Sequence, residues 1–316
     1  MRIQDGSRRS FFIAIGITLM IGVLSALGGS SVQRLQYLLL GVGSIIIGIP
    51  HGATDNHVYR SFFSRPPDAR RMTGFYLTYL VSAVAYGILW WLAPVAALVF
   101  FLLMSMYHFG QSSLFVADAP EASLPKKLAY VGMGAFYLLP PILLRYPEAE
   151  PVIAAITGRQ MISLEQAAAW APWVTGGLTV SSIVIVLVMG VAGSMRPAAV
   201  KREILLVGVL LFLFLVSPLF VSFIVYWALW HSLNTAMEVY PLLPAPGNRP
   251  AVWRFARAAA PLTLITFAGI ALIFVAFGVL SSLQGTVALY FILIAAMTLP
   301  HSVVMERMYQ RVRSAA

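Results

Sequence analysis

The sequence predicts an all-α protein that crosses a membrane many times. Three observations predict it: a composition too apolar to dissolve, apolar runs of bilayer length along the whole chain, and basic residues gathered between alternate runs. Of 316 residues, 60% are hydrophobic and only 10% charged, against about 25% charged in a soluble domain. There is no soluble domain, repeat or low-complexity tract, so residues 1–316 read as a single transmembrane helical bundle. The chain has no cysteine, which excludes disulfide scaffolds, thiolate-held zinc, iron–sulfur clusters and cysteine nucleophiles.

A membrane helix needs about 20 apolar residues. In chain order the runs that qualify are 10–28, 34–51, 73–92, 94–116, 128–144, 173–193, 204–217, 219–240, 259–280 and 285–304. The first follows Arg8-Arg9 and shares its charge pattern with a signal peptide, but nine further runs favour a first membrane helix. The stretch from Ile204 to Tyr240 is too long for one crossing. Ser217-Pro218 lies near its middle, where proline favours a break, so it reads as two helices joined by a tight turn. The longest polar stretch, Arg145 to Gln166, contains Pro147 and Pro151 and reads as an outside loop. Within it, Met161 to Trp170 is expected to form a short interfacial helix with its tryptophan at headgroup depth.

The charges test that count. Cytoplasmic loops carry the Lys/Arg excess, and the net charge is +10. With ten crossings and both termini inside, 18 of the 21 basic residues lie on the inner side, and only Arg34, Arg145 and Arg159 lie outside. A single crossing over 204–240 would put the basic clusters flanking it on opposite faces. Membrane orientation, not nucleic-acid binding, therefore accounts for the positive charge.

The five histidines are His51, His57, His108, His231 and His301. Four of them fall on expected spans two, four, eight and ten, which all run from outside to inside. At 1.5 Å per residue they lie about 26, 21, 18 and 24 Å from the outer ends of those spans. All four are thus in the inner half of a core about 30 Å thick. A lone membrane histidine is usually a packing or interfacial group; four at one depth indicate a site, and ionisable groups deep in a bilayer are functional by default. Neutral imidazoles without cysteine suit iron, copper, zinc or nickel. Asp55 follows His51 by four residues, Gln111 follows His108 by three, and Asn234 and Glu238 follow His231 by three and seven. At helical spacing such groups can accept the second ring N–H of a ligand.

Other chemistries lack their residues. There is no glycine-rich phosphate loop and no HExxH, and no Arg or Lys lies mid-membrane. Aromatic side chains are abundant on or beside the histidine-bearing spans. Tyr107, Phe109, Tyr226, Trp227 and Trp230 are the candidates to line a channel for a long polyene, although most membrane aromatics serve packing.

The strings Gly48-Ile49-Pro50-His51-Gly52-Ala53-Thr54-Asp55, Tyr107-His108-Phe109-Gly110-Gln111, Trp230-His231-Ser232 and Leu299-Pro300-His301 carry a resemblance. The chain resembles the Brp/Blh family of bacterial and archaeal β-carotene 15,15′-dioxygenases. That resemblance implies a non-haem Fe(II) centre, with His51, His108, His231 and His301 as ligands. It implies cleavage of the central double bond of β-carotene by O2 to two molecules of retinal, in the inner (cytoplasmic) membrane of a cell that uses retinal in a rhodopsin. Two positions depart from the family pattern. Asn56 stands where a histidine is common, making His57 an alternative ligand, and Thr235 stands one turn after His231 where many members have a second histidine. A C40 hydrocarbon dissolves only in lipid, which suits an enzyme built as a membrane bundle. The main alternative is a transporter or metal-ion permease using the histidines as a transit site, which would require helices broken at mid-membrane.

Overall fold

The computed structural model describes residues 2–114, 123–244, 250–277 and 282–314. The expected span ends at 115–116 and 278–280, and the inner-side Arg249, lie outside the described residues. All regular structure among the described residues is helical. The helices are α1 (Arg2–Gly43), α2 (Ile49–Gly52), α3 (Asp55–Ser61), α4 (Ala69–Leu92), α5 (Pro94–Ser113), α6 (Leu124–Leu144) and α7 (Tyr146–Thr157). They continue as α8 (Leu164–Val191), α9 (Pro197–Val216), α10 (Leu219–Val225), α11 (Leu233–Val239), α12 (Ala251–Phe277) and α13 (Leu283–Ser314). Two wider π-helical turns, Ser44–Gly48 and Tyr226–Ser232, interrupt this series.

Seven helical runs among the described residues are long and apolar enough to cross a membrane, which fits a multi-pass membrane protein. This differs from the ten expected, for physical reasons. Expected spans one and two follow each other without a loop in one run, Arg9–Ser61, and a non-helical kink at Gly29, φ 46° and ψ −124°, separates them. That is a backbone conformation open to glycine. The seventh expected span begins as α9 at Pro197, so the helix takes in Lys201, Arg202 and Glu203. The eighth is divided among α10, a π-helical turn and α11.

The stretch from Arg145 to Gln166 is also corrected. It holds α7, with Pro147 in the first turn, where a missing N–H costs no helical bond. The anticipated interfacial helix at 161–170 is instead the start of α8. Ser163 accepts from the Gln166 backbone while the Gln166 side chain accepts from the Ser163 N–H. This reciprocal cap starts a helix that runs through Trp170 to Val191 without a break.

The chain forms two compact units, each drawn from three stretches of sequence. The first comprises Met1–Ile45, Met106–Ala149 and Ile162–Asn234. There α6 packs along α8, and α1 along α9 and α10. The break at Ser217-Pro218 strands the last carbonyls of α9 and the first N–H groups of α10, and side chains satisfy them. Arg145 donates to the carbonyls of Ser217 and Leu215, both at 2.8 Å. Glu148 accepts from the Leu219 N–H at 3.0 Å, and Gln36 from the Phe220 N–H at 3.1 Å. In the same unit the last turns of α5 meet α6 backbone to backbone. A Cβ on Gly110 would overlap the Tyr130 carbonyl, and one on Gly134 would overlap that of Met106. Small residues at such crossings let membrane helices approach closely.

The second unit comprises Ile46–Ser105, Glu150–Met161 and Thr235–Ala316. In it α13 packs against α3 and α4, and α2 against α12. Tyr86, Trp90, Ala97 and Ala295 form a buried apolar cluster, with the Tyr86 hydroxyl donating to the Ala97 carbonyl at 2.8 Å.

Candidate functional site

In the second unit, His51 sits in the short α2 directly after the π-helical turn Ser44–Gly48. Its Nδ1 bonds the Gly48 carbonyl. A carbonyl only accepts, so Nδ1 carries the proton and Nε2 carries the lone pair of the neutral ring. His301, on α13, bonds through Nδ1 to Asp55 at 2.9 and 3.0 Å. The carboxylate fixes this ring in the same tautomer. The two imidazoles lie 5.0 Å apart, edge to face. Both are buried, as is Asp55. Metal-binding histidines typically have their second nitrogen held by a carbonyl or carboxylate, and both rings have that partner.

In the first unit, His108 on α5 and His231 in the π-helical turn Tyr226–Ser232 form another edge-to-face pair, 4.8 Å between centroids. They are 1% and 2% exposed, so both imidazoles have left water. Phe109 lies 4.7 Å from His231 and 5.3 Å from Tyr226. Tyr226 is stacked on Tyr137 at 4.6 Å. The Tyr137 hydroxyl shares a 2.7 Å hydrogen bond with Ser113, which donates to Glu203 at 2.9 Å. A column of rings thus runs from His231 to a buried polar anchor. Gly110 and Gly134 fix the level of α5 against α6, and with it the level of His108.

The remaining expected residues have varied surroundings. Asp55 holds His301. Gln111 is buried and Asn234 is half-buried. Glu238 accepts from the Tyr309 hydroxyl at 2.8 Å. Regular α-helical spacing from His231 does not apply to Asn234 and Glu238, because His231 lies in a wider π-helical turn. Tyr107 packs edge-on to Tyr130 at 5.6 Å, and Trp227 stacks on Phe223 at 5.5 Å. Trp230 packs against Phe11 and donates to Thr18 at 3.0 Å.

His57, the alternative ligand, is half-buried on α3. His57→Ala is expected to keep most of the bound metal and to lose turnover only in part. Metal analysis of the purified variant checks this, and a metal-free variant would make His57 a ligand.

The sequence pattern of the β-carotene 15,15′-dioxygenase family matches residues 42–309. The chain belongs to this dioxygenase family. It is 30% identical to the probable β-carotene 15,15′-dioxygenase Blh of Halobacterium salinarum, over 94% of this chain and 91% of that one. It is also 34% identical to the β-carotene 15,15′-dioxygenase of uncultured marine bacterium 66A03, over 30% of this chain and 34% of that one. No solved structure matches.

The span shared with the β-carotene 15,15′-dioxygenase family contains all five histidines. It also contains residues that sequence reasoning passed over. Glu203 reads as part of a solvated Lys-Arg-Glu run, yet it is buried at 3% exposure. The signal was Pro197, a residue favoured in the first turn of a helix; starting α9 there places Glu203 on its second turn. Tyr79 reads as one more membrane tyrosine, and its hydroxyl donates to Asp55 at 3.1 Å. Nothing in the one-dimensional pattern distinguishes it.

Proposed function

We propose that this chain cleaves the central 15,15′ double bond of β-carotene with O2 at an iron centre, giving two molecules of retinal. Family membership supports the reaction. The observation that carries the metal is the arrangement of buried imidazoles: two in each unit, with His51 and His301 each oriented through Nδ1 by an oxygen acceptor. This donor set fits iron(II), for which imidazole is a suitable ligand. In this reading His51, His108, His231 and His301 are iron ligands, with His57 as the alternative.

Bound iron would supply the activation of O2 that a hydrocarbon without an acidic or basic handle requires. The stoichiometry is closed: C40H56 and O2 give two C20H28O, each aldehyde taking one oxygen atom. No proton or reductant enters, so the reaction itself requires no general acid or base. The role of the chain is then to bind, orient and exclude water. Asp55 and Gly48 hold ring orientations, while Phe109, Tyr226 and Tyr137 offer an apolar aromatic wall beside His231, of the kind that suits a polyene. Tyr107, Trp227 and Trp230 complete the candidate lining.

The same reading takes the chain as one functional membrane domain, since neither unit is built from a continuous stretch of sequence. It takes ten crossings with both termini inside, in the inner membrane, with lipid as the route of β-carotene supply and a rhodopsin as a consumer of retinal.

Expression in a bacterium that accumulates β-carotene tests the activity. The expected result is loss of orange colour with retinal in the extract. Persistent colour with verified membrane expression and iron supply would refute the reading and favour the transporter alternative.

A further inference from the structure

We propose that Tyr79 is a positioning residue for His301, acting through Asp55, an inference that rests on the reading of His301 as an iron ligand. The three side chains come from α4, α3 and α13 of the second unit. Asp55 is 2% exposed and His301 6%. The Asp55 carboxylate receives two donors: His301 Nδ1 at 2.9 and 3.0 Å, and the Tyr79 hydroxyl at 3.1 Å.

An aspartate carboxylate turns about a broad terminal torsion, so one donor leaves its plane loosely set. A second donor from another helix fixes that plane, and with it the direction in which His301 presents Nε2. The hydroxyl also stands 3.5 Å from the Met297 carbonyl. It has one proton, and the closer, charged acceptor makes the stronger bond. The ring of Tyr79 is itself held: it packs against Phe75 at 5.8 Å, and Phe75 stacks on Tyr59 at 4.5 Å. Tyr76, one turn earlier on α4, provides an internal comparison. Its hydroxyl accepts from Asn56 at 3.4 Å.

The test is a double-mutant cycle on the full-length protein, with iron affinity read by chelator competition and the ferrous–nitrosyl EPR signal recorded for each variant. Loss of an outer partner of a metal-bound histidine typically lowers affinity about 10–100-fold. Asp55→Asn is expected in that range and Tyr79→Phe at its lower end, about 10-fold. The EPR signal is expected to shift in Tyr79→Phe and not in Tyr76→Phe, which keeps wild-type affinity. In the Asp55→Asn background, Tyr79→Phe should add nothing, because its path of action is already cut. Wild-type affinity in Tyr79→Phe, or an undiminished loss in the Asp55→Asn background, would overturn the proposal. Wild-type iron affinity in Asp55→Asn would instead overturn the iron reading of His301 itself. Should Tyr79→Phe lose its helical content, Tyr79→His retains a donor on a smaller ring and is expected to recover part of the affinity; no recovery in a folded protein counts against the proposal.

Discussion

His108→Ala and His231→Ala are each expected to abolish retinal formation while leaving a folded, membrane-inserted protein. The two rings are 4.8 Å apart, and in the iron reading either substitution removes one nitrogen ligand from the set. The effect should exceed the roughly 100-fold upper end seen when only an outer partner of a metal ligand is lost. Purified variants should be depleted of iron, and pigment extracts from β-carotene-accumulating cells should keep their colour. The fold should persist because the closest backbone approach next to His108 does not depend on its ring. The crossing beside His108 is made by Gly110 and Gly134. Full iron with wild-type turnover in either variant would remove that histidine from the ligand set.

Gly110→Ala is expected to damage the protein by the opposite route, through shape. The added methyl would meet the carbonyl of Tyr130, a backbone group on a buried helix, rather than the tip of a movable side chain. Overpacking of this kind typically costs about 1–3 kcal/mol. Gly134→Ala meets Met106 in the same way and should behave alike. Thermal unfolding of the detergent-solubilised variants should show the loss. Gly87→Ala, where nothing lies within 4 Å, should leave the melting temperature near wild type. Because Gly110 is two residues from His108, the Gly110 variant should also lose activity in the fraction that remains folded. Unchanged stability would mean that α5 and α6 can separate without cost.

Much of this was legible in the sequence, and the limits have physical causes. Composition and apolar run length suffice for an all-helical membrane chain, because a bilayer leaves few ways to satisfy a backbone. The histidines stood out because ionisable groups are rare at such depth. Proline at 218 marked the break between α9 and α10. Run length separated the first two spans at residues 28–34, and the chain kinks there at Gly29, but it could not show that the kink takes a single residue with no loop between the helices. Nor could it show the π-helical turns before His51 and around His231, which have no compositional signature. Those turns change the residue spacing around His51 and His231. Tyr79, Tyr137 and Ser113 are ordinary membrane residues until three dimensions bring their hydroxyls to a carboxylate or to one another.

The Asp55–His301 hydrogen bond joins residues 246 positions apart, and this sets a timetable for biogenesis. At about 5–20 residues per second, the ribosome needs on the order of 10–50 s after making Asp55 before His301 exists. Throughout that interval the Asp55 carboxylate lacks the imidazole it orients, while His51, already held by Gly48, lacks its neighbouring ring. In the iron reading, stable metal capture at this site must therefore follow the synthesis of His301. Truncation within α13 should leave inserted but iron-poor protein. A cell starved of iron during synthesis should recover activity when iron is restored, without new translation.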